Sequence, residues 1–302
     1  MSVDIREYLQ ERILILDGAM GSMLQQYKMS EEDVRGKLFA NHQKDLKNFS
    51  DVLCLTHPDK ITSIHEQYLA AGADIIETNS FGASTVGMEE FDLAPEMVGK
   101  LNQAAIDCAR QAVEKYNRLT PDKRRFIAGS IGPTTRQTAI STRPDDAAYR
   151  STTFDELEAS YYAQVKCLCE GGVDLLLPET AIDTLNLKSC LFAISRYYKE
   201  TGCKIPVMIS AAFGDGGGTF VSGQVVEAFW YAVSNFPMLS VGMNCALGPD
   251  KMKPHLKELS SVANTYISCH PNAGLPNAMG QYDLSPENMA VQIREFAQQG
   301  WL

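Results

Sequence analysis

Hydrophobic residues along the chain fall into two alternating patterns. One is a short, nearly continuous run rich in Val, Ile and Leu. The other is a longer stretch whose apolar positions step by three and four. The runs occupy residues 13–17, 73–78, 126–131, 173–178, 206–211, 240–244 and 265–269. Apolar character with no polar alternate marks a strand covered on both faces, as in a parallel sheet. The stepping pattern marks helices with one apolar face. It is carried by Val98, Leu101, Ala105, Cys108 and Ala112, and by Phe154, Leu157, Tyr161, Val165 and Leu168. Leu187, Leu191, Ile194 and Tyr198 repeat it, as do Val226, Phe229 and Val233. Thr153 and Glu156 stand at capping-box spacing before one such helix. Ser285-Pro286 opens a last one carrying Met289, Ile293 and Phe296.

Strand and helix alternate seven times, which predicts parallel strands joined by right-handed crossover helices. A closed (β/α)8 TIM barrel and an open doubly wound sheet both satisfy that order. A barrel typically takes about 250 residues; the chain has 302, with no low-complexity tract or linker dividing it. The expectation is an α/β fold, a single barrel domain over residues 1–302, incomplete at its C-terminus. Its eighth strand is expected to be missing, because the seventh helix runs into Gly300-Trp301-Leu302 where that strand would begin. Such a barrel would expose the edges of strands one and seven. Residues 27–58 read as a long loop after the first strand, on the side where barrels build their sites.

Charge and cysteine usage narrow the function classes. A formal net charge of -10 argues against nucleic-acid or anionic-membrane partners. No apolar stretch reaches the roughly 18 residues needed to cross a bilayer. Asp4, Arg6 and Glu7 interrupt any secretory h-region. Eight scattered cysteines in a large domain point to reduced thiols and a cytoplasmic setting, where a cysteine can ligate a metal.

Barrel chemistry sits at the C-terminal ends of strands. Those positions read Asp17; Glu77-Thr78-Asn79; Gly132-Pro133-Thr134; Glu179; Phe213; Asn244-Cys245; and His270-Pro271-Asn272. They include no lysine, which counts against Schiff-base chemistry. Asp17 and Glu179 are suited to acid/base work or to holding an ammonium. The turn Asp17-Gly18-Ala19-Met20-Gly21 offers backbone N–H groups to a carboxylate beside Asp17, a pairing that suits an amino acid. A helix N-cap followed by a glycine turn explains the same residues. Cys245 reads either as a small buried hydrophobe or as a zinc thiolate. Cys269 with His270 is a rival ligand pair, although adjacent strand residues point to opposite faces. Cys108 lies on a helical core stripe. Cys167 and Cys169, two apart on a helix, face different ways. Cys54, Cys190 and Cys203 have no partner at ligand spacing. The glycine-rich stretch 214–218 lacks the Lys-Ser/Thr of a Walker loop and reads as a flexible loop at the barrel mouth.

Several strings together resemble the homocysteine S-methyltransferase family from about residue 10 to Leu302. They are Leu16-Asp17-Gly18-Ala19-Met20-Gly21, the stretch from Ala73 to Phe81, Glu179-Thr180 with Asp183-Thr184-Leu185-Asn186, the stretch from Gly242 to Gly248, and that from His270 to Asn277. The last of these, with Ser222-Gly223-Gln224, is similar to the homocysteine-binding module of the cobalamin-dependent branch more than to the betaine-dependent one. The resemblance implies a barrel that binds homocysteine and activates its thiol for methyl transfer from methylcobalamin, giving methionine. It implies zinc held by three cysteines, one matching Cys245 and two in a Gly-Gly-Cys-Cys motif. That motif is absent from these 302 residues and is expected beyond Leu302. It assigns the substrate ammonium to Asp17 and Glu179 and the substrate carboxylate to the backbone of Gly18, Ala19 and Met20, and it counts Asn244, beside Cys245, among the substrate-binding residues. The implied partners are homocysteine and the cobalamin- and folate-binding modules of one parent chain. Residues 211–218 depart from the family's usual Gly-Thr and Ser-Gly-Arg-Thr pattern. Two alternatives stay open: a stand-alone homocysteine methyltransferase using a sulfonium donor or betaine, and an inactive truncated fragment that binds an amino acid.

Overall fold

A computed structural model describes residues 4–274 and 282–302. Among the described residues, six parallel-type strands alternate with long helices. The strands are β1 (Ile75–Glu77), β2 (Phe126–Ile131), β3 (Leu175–Pro178), β4 (Met208–Ala211), β5 (Ser240–Asn244) and β6 (Tyr266–His270). The helices are α1 (Pro58–Ala71), α2 (Met97–Leu119), α3 (Phe154–Gly171), α4 (Thr184–Thr201), α5 (Val226–Val233), α6 (Pro249–Val262) and α7 (Pro286–Gln298). No helix among the described residues is long and apolar enough to cross a membrane.

The chain divides into two compact units. One comprises Met1–Thr135, Asp155–Leu177 and Phe192–Ile205; the other comprises Arg136–Phe154, Pro178–Leu191 and Pro206–Leu302. The first unit holds a sheet in the order β1-β2-β3, with Ile75 opposite Phe126 and Glu77 opposite Ala128 in a parallel pair. All six residues of β2 are buried, as its unbroken apolar run requires of a strand covered on both faces. The predicted helical stripe of α2 faces inward: Val98, Leu101, Ala105, Cys108 and Ala112 are buried, and α2 packs on α1.

Two strands of this unit begin with the same device. Gly72 (φ +113°) and Gly172 (φ +81°) end α1 and α3 in the left-handed region, where glycine carries no Cβ penalty. Two residues on, an aspartate reaches back to the preceding strand. Asp74 Oδ2 accepts from Ile15 N at 2.9 Å, and Asp174 Oδ2 accepts from Ile127 N at 2.8 Å. Asp74 is fully buried and also pairs with Arg12 (2.7 Å) and Lys123 (3.1 Å). Burial raises its carboxyl, but Arg12, the Ile15 N–H and Lys123 outweigh it and hold the group below its ordinary range.

The expected first strand, residues 13–17, is reduced to a single parallel bridge between Leu16 and Ile75. The Asp74 side chain takes the Ile15 N–H. The Ile15 carbonyl accepts from both Asp74 N (2.8 Å) and Ile75 N (3.1 Å), so the ladder closes after one rung. Ile13 and Ile15 are exposed. Residues 27–58 are also more than a loop. They fold into the helix Glu31–Arg35, a 3-10 turn at Ser50–Val52 and the helix Leu53–Thr56. Val34, Phe39, Leu46, Phe49, Val52 and Leu53 fill a core shared with Ile61, Ile64 and Leu101.

The second unit carries the order β4-β5-β6, both pairs parallel, with Met208 opposite Ser240 and Asn244 opposite His270. A bridge from Ala181 to Ala211 adds the chain beyond β3 to that edge. Gly242 is obligatory: a Cβ there would lie 2.2 Å from the Ser268 carbonyl oxygen of β6. The glycine-rich stretch is an ordered turn rather than an open loop. Gly214 N donates to the Gly218 carbonyl (2.9 Å), and antiparallel bridges join Phe213 to Thr219 and Gly218 to Val225. Helix α7 starts as predicted, with Pro286 in its first turn and Ser285 Oγ accepting from Asn288 N at 3.3 Å.

Candidate functional site

Each unit presents a cluster of polar residues at strand C-terminal ends. In the first, Asp17 follows the Leu16 bridge and Glu77 ends β1. Glu77 N donates to Asp17 Oδ2 at 3.0 Å, so the two carboxylates are tied through the backbone. Tyr68 of α1 closes the group: its hydroxyl donates to the Ala19 carbonyl at 3.1 Å. Its ring lies where a Gly18 side chain would be, 2.7 Å from an added Cβ, which accounts for glycine at that position. Burial pushes the Glu77 carboxyl up to about 7. Burial, with Asp17 and Glu77 near it, pushes the Tyr68 hydroxyl up to about 12. Met20 begins the short helix Met20–Gln25, and Ala19 caps it with no side-chain hydrogen bond. Thus the N-cap explanation of Asp17 does not hold. Its carboxylate turns to β1 instead.

The second cluster is organised by Asn244, buried at the end of β5. Asn244 Oδ1 accepts from Thr180 N (2.9 Å) and Ser210 Oγ (2.6 Å). Asn244 Nδ2 donates to Thr180 Oγ1 (2.7 Å) and lies 3.3 Å from Cys245 Sγ and 3.5 Å from Glu179 Oε2. One amide therefore links the carboxylate after β3 to the thiol after β5. Cys245 is exposed, so it is not the buried small hydrophobe that a lone cysteine after an apolar run suggests.

The backbone around this amide is held in an uncommon region. Thr180 (φ +55°), Cys245 (φ +59°) and Ala246 (φ +61°) are left-handed without being glycine. Each such residue costs roughly 1–2 kcal/mol, and strain of this kind persists where surrounding bonds over-determine it. Here those bonds are Thr180 N to Asn244, Cys245 N to the His270 carbonyl (3.1 Å) and Asn272 N to the Leu247 carbonyl (2.9 Å). The double turn at Cys245-Ala246 lifts the thiol out of the strand's alternation and leaves it exposed to solvent.

His270 ends β6 within electrostatic reach of Glu179. Burial pushes its imidazole below the ordinary value, and Glu179 opposes that shift. The rival pairing of Cys269 with His270 dissolves: Cys269 Sγ lies 3.4 Å from Met252 Sδ, and burial pushes its thiol up to about 12. Among the described residues, no group of three or more His, Cys, Asp or Glu side chains could hold a metal ion. A zinc site that leaves one position open to substrate needs three protein ligands. Cys245 supplies one, so the described residues do not by themselves fit that centre.

The structure thus gathers Glu179, Asn244 and Cys245 in one cluster, and Asp17 with the Gly18–Met20 turn in another. Thr180, Ser210 and His270 join the former, Glu77 and Tyr68 the latter. Glu77 and His270 stand at strand ends in the sequence. Thr180 has only its place beside Glu179 to mark it, and Tyr68, in mid-helix, has no signal. Residues 275–277 of the last family-like string lie outside the described residues.

A model of the homocysteine S-methyltransferase family matches residues 14–302. Among solved structures, the homocysteine methyltransferase MmuM from Escherichia coli is similar in two forms. Its metallated form has a TM-score of 0.71 at 20% identity, over 95% of this chain and 92% of that one. Its oxidized form has a TM-score of 0.73 at 20% identity, over 99% of this chain and 91% of that one. These likenesses show a shared fold.

Proposed function

Because the chain belongs to the homocysteine S-methyltransferase family, we propose that it binds homocysteine and presents the substrate sulfur for methylation, as the homocysteine module of a cobalamin-dependent methionine synthase. The observation that carries this reading is the joining of Glu179 to the exposed Cys245 through the single buried amide of Asn244. The regular exchange of strand and crossover helix supports a (β/α)8 barrel domain, and the eight scattered cysteines support a cytoplasmic setting.

The roles follow from chemistry. Asp17 and Glu179 take the substrate ammonium, and the backbone of Gly18 to Met20 takes its carboxylate. A free thiol has a pKa near 8.5, so only a few per cent is thiolate at neutral pH. Methylation requires the substrate sulfur to lose its proton and bond the methyl carbon as the bond from carbon to donor breaks. Asn244 holds the Cys245 turn, which keeps that face of the cluster in place. Zinc activation needs two thiolates besides Cys245, which the family resemblance assigns to a Gly-Gly-Cys-Cys motif that these 302 residues do not contain. Methylcobalamin would be presented by a separate module.

A second reading has its own support. MmuM, a homocysteine methyltransferase, is matched over 92% of its length, so a protein of about this size is an enzyme in its own right. A turnover assay with homocysteine and three donors (methylcobalamin, a methylsulfonium amino acid and betaine) separates the two. The module reading predicts homocysteine binding with sub-stoichiometric zinc and little or no turnover from any donor by these residues alone. Sustained turnover from the sulfonium or betaine would replace it with the stand-alone enzyme. Failure to bind homocysteine would end both readings.

A further inference from the structure

Two pairs of cysteines meet in the first unit although no spacing in the sequence relates them. Cys54 and Cys108 lie near one another deep in the core, 2% and 3% exposed. Cys169 and Cys203 are placed differently. Cys169 lies near the end of α3, and Cys203 follows Gly202 (φ +75°), just past the end of α4.

The two helices run parallel there, because their contacts advance together. Glu158 pairs with Arg196 at 3.2 Å. One turn on, the Tyr162 ring lies 6.1 Å from that of Tyr197, and its hydroxyl donates to Glu200. About two turns beyond Tyr162 and Arg196, the same register brings up Cys169 and Cys203. Both thiols are partly exposed, and Cys203 lies close enough to Cys169 to bear on its thiol.

We propose that Cys169 and Cys203 form a reversible disulfide that ties the end of α3 to the end of α4 when the chain meets hydrogen peroxide. The Cys203 thiolate attacks one peroxide oxygen, the O–O bond breaks and hydroxide leaves, giving a sulfenic acid. Cys169 then gives up its proton, and its sulfur attacks the sulfenic sulfur and expels a second hydroxide. With the two thiol protons, the products are one disulfide and two waters, and a dithiol reductant reverses the change. Burial, and the neighbouring Cys203, push the Cys169 thiol up to about 12. Closure therefore speeds up as pH rises. Cys167, two residues away on α3, faces elsewhere and takes no part.

The test is a peptide map of the whole 302-residue chain, oxidised with hydrogen peroxide in mildly alkaline buffer, alkylated and digested with trypsin without reduction. The expected product links peptide 167–188 to peptide 200–204, two hydrogens lighter than their sum, and disappears on adding dithiothreitol. It forms in C167S and is absent from C169S and C203S, with circular dichroism confirming that each variant is folded. Separate alkylation of both peptides, over-oxidation of Cys203 without a bridge, or a bridge that survives in C169S would overturn the proposal.

Discussion

Asn244 concentrates the demands of the second cluster in one side chain. Its carbonyl oxygen satisfies Thr180 N and Ser210 Oγ, and its amide nitrogen satisfies Thr180 Oγ1. Removing it strands buried donors beside a threonine already in the left-handed region. N244A is expected to cost about 2–3 kcal/mol and to weaken homocysteine binding; urea unfolding and a binding titration check both. His65 poses the opposite case. It is fully buried in α1, and among the described residues neither ring nitrogen has a hydrogen-bond partner. Burial pushes its imidazole down to about 4. A depressed histidine favours the neutral form in the fold. Its contribution is present above the unfolded value near 6.5 and is lost as pH falls toward 4. H65M should add roughly 1–2 kcal/mol at neutral pH by removing an unsatisfied polar group, and should flatten the stability profile between those two values. Thermal melts across that range test it, and an unchanged slope would count against it. Asn244 stands at a strand end in the sequence and His65 has no signal there; the partners of the one and the burial of the other are set by contacts distant along the chain.

Elements were far more legible than pairings. The runs at 126–131 and 240–244 are strands with those limits, and the runs at 73–78, 173–178, 206–211 and 265–269 fall within a few residues of β1, β3, β4 and β6. Continuous Val, Ile and Leu leave no other way to bury the backbone, and glycines such as Gly72 and Gly172 mark where the helices stop. The first strand was misjudged for a local reason: Asp74 competes for the Ile15 N–H with a side-chain carboxylate, which hydrophobicity does not register. The 27–58 segment was misjudged because its apolar residues join a core built with α1 and α2 and keep no fixed period. Close contact between strands is likewise invisible in composition. G242A would drive a methyl group into the Ser268 carbonyl, and overpacking of this kind costs about 2–3 kcal/mol. A melt showing no loss for G242A would mean that β5 and β6 are less tightly paired than described.

At the scale of the molecule, the charged and thiol residues expected at strand ends do stand there, but in company the sequence did not indicate. Glu179 is joined to Cys245 by Asn244, and Asp17 is joined to Glu77 through a backbone bond. Separations of sixty residues or more in each case put these links beyond any spacing rule. The cluster around Asn244 bears the weight of the functional reading, and the most direct test is calorimetric titration of homocysteine into the wild-type chain and E179Q, with the exposed E227Q as control. If Glu179 takes the substrate ammonium, E179Q binds at least about tenfold more weakly, a loss of ~1.4 kcal/mol, while E227Q binds as the wild type does. Equal affinity in all three, with the fold intact, would contradict the account.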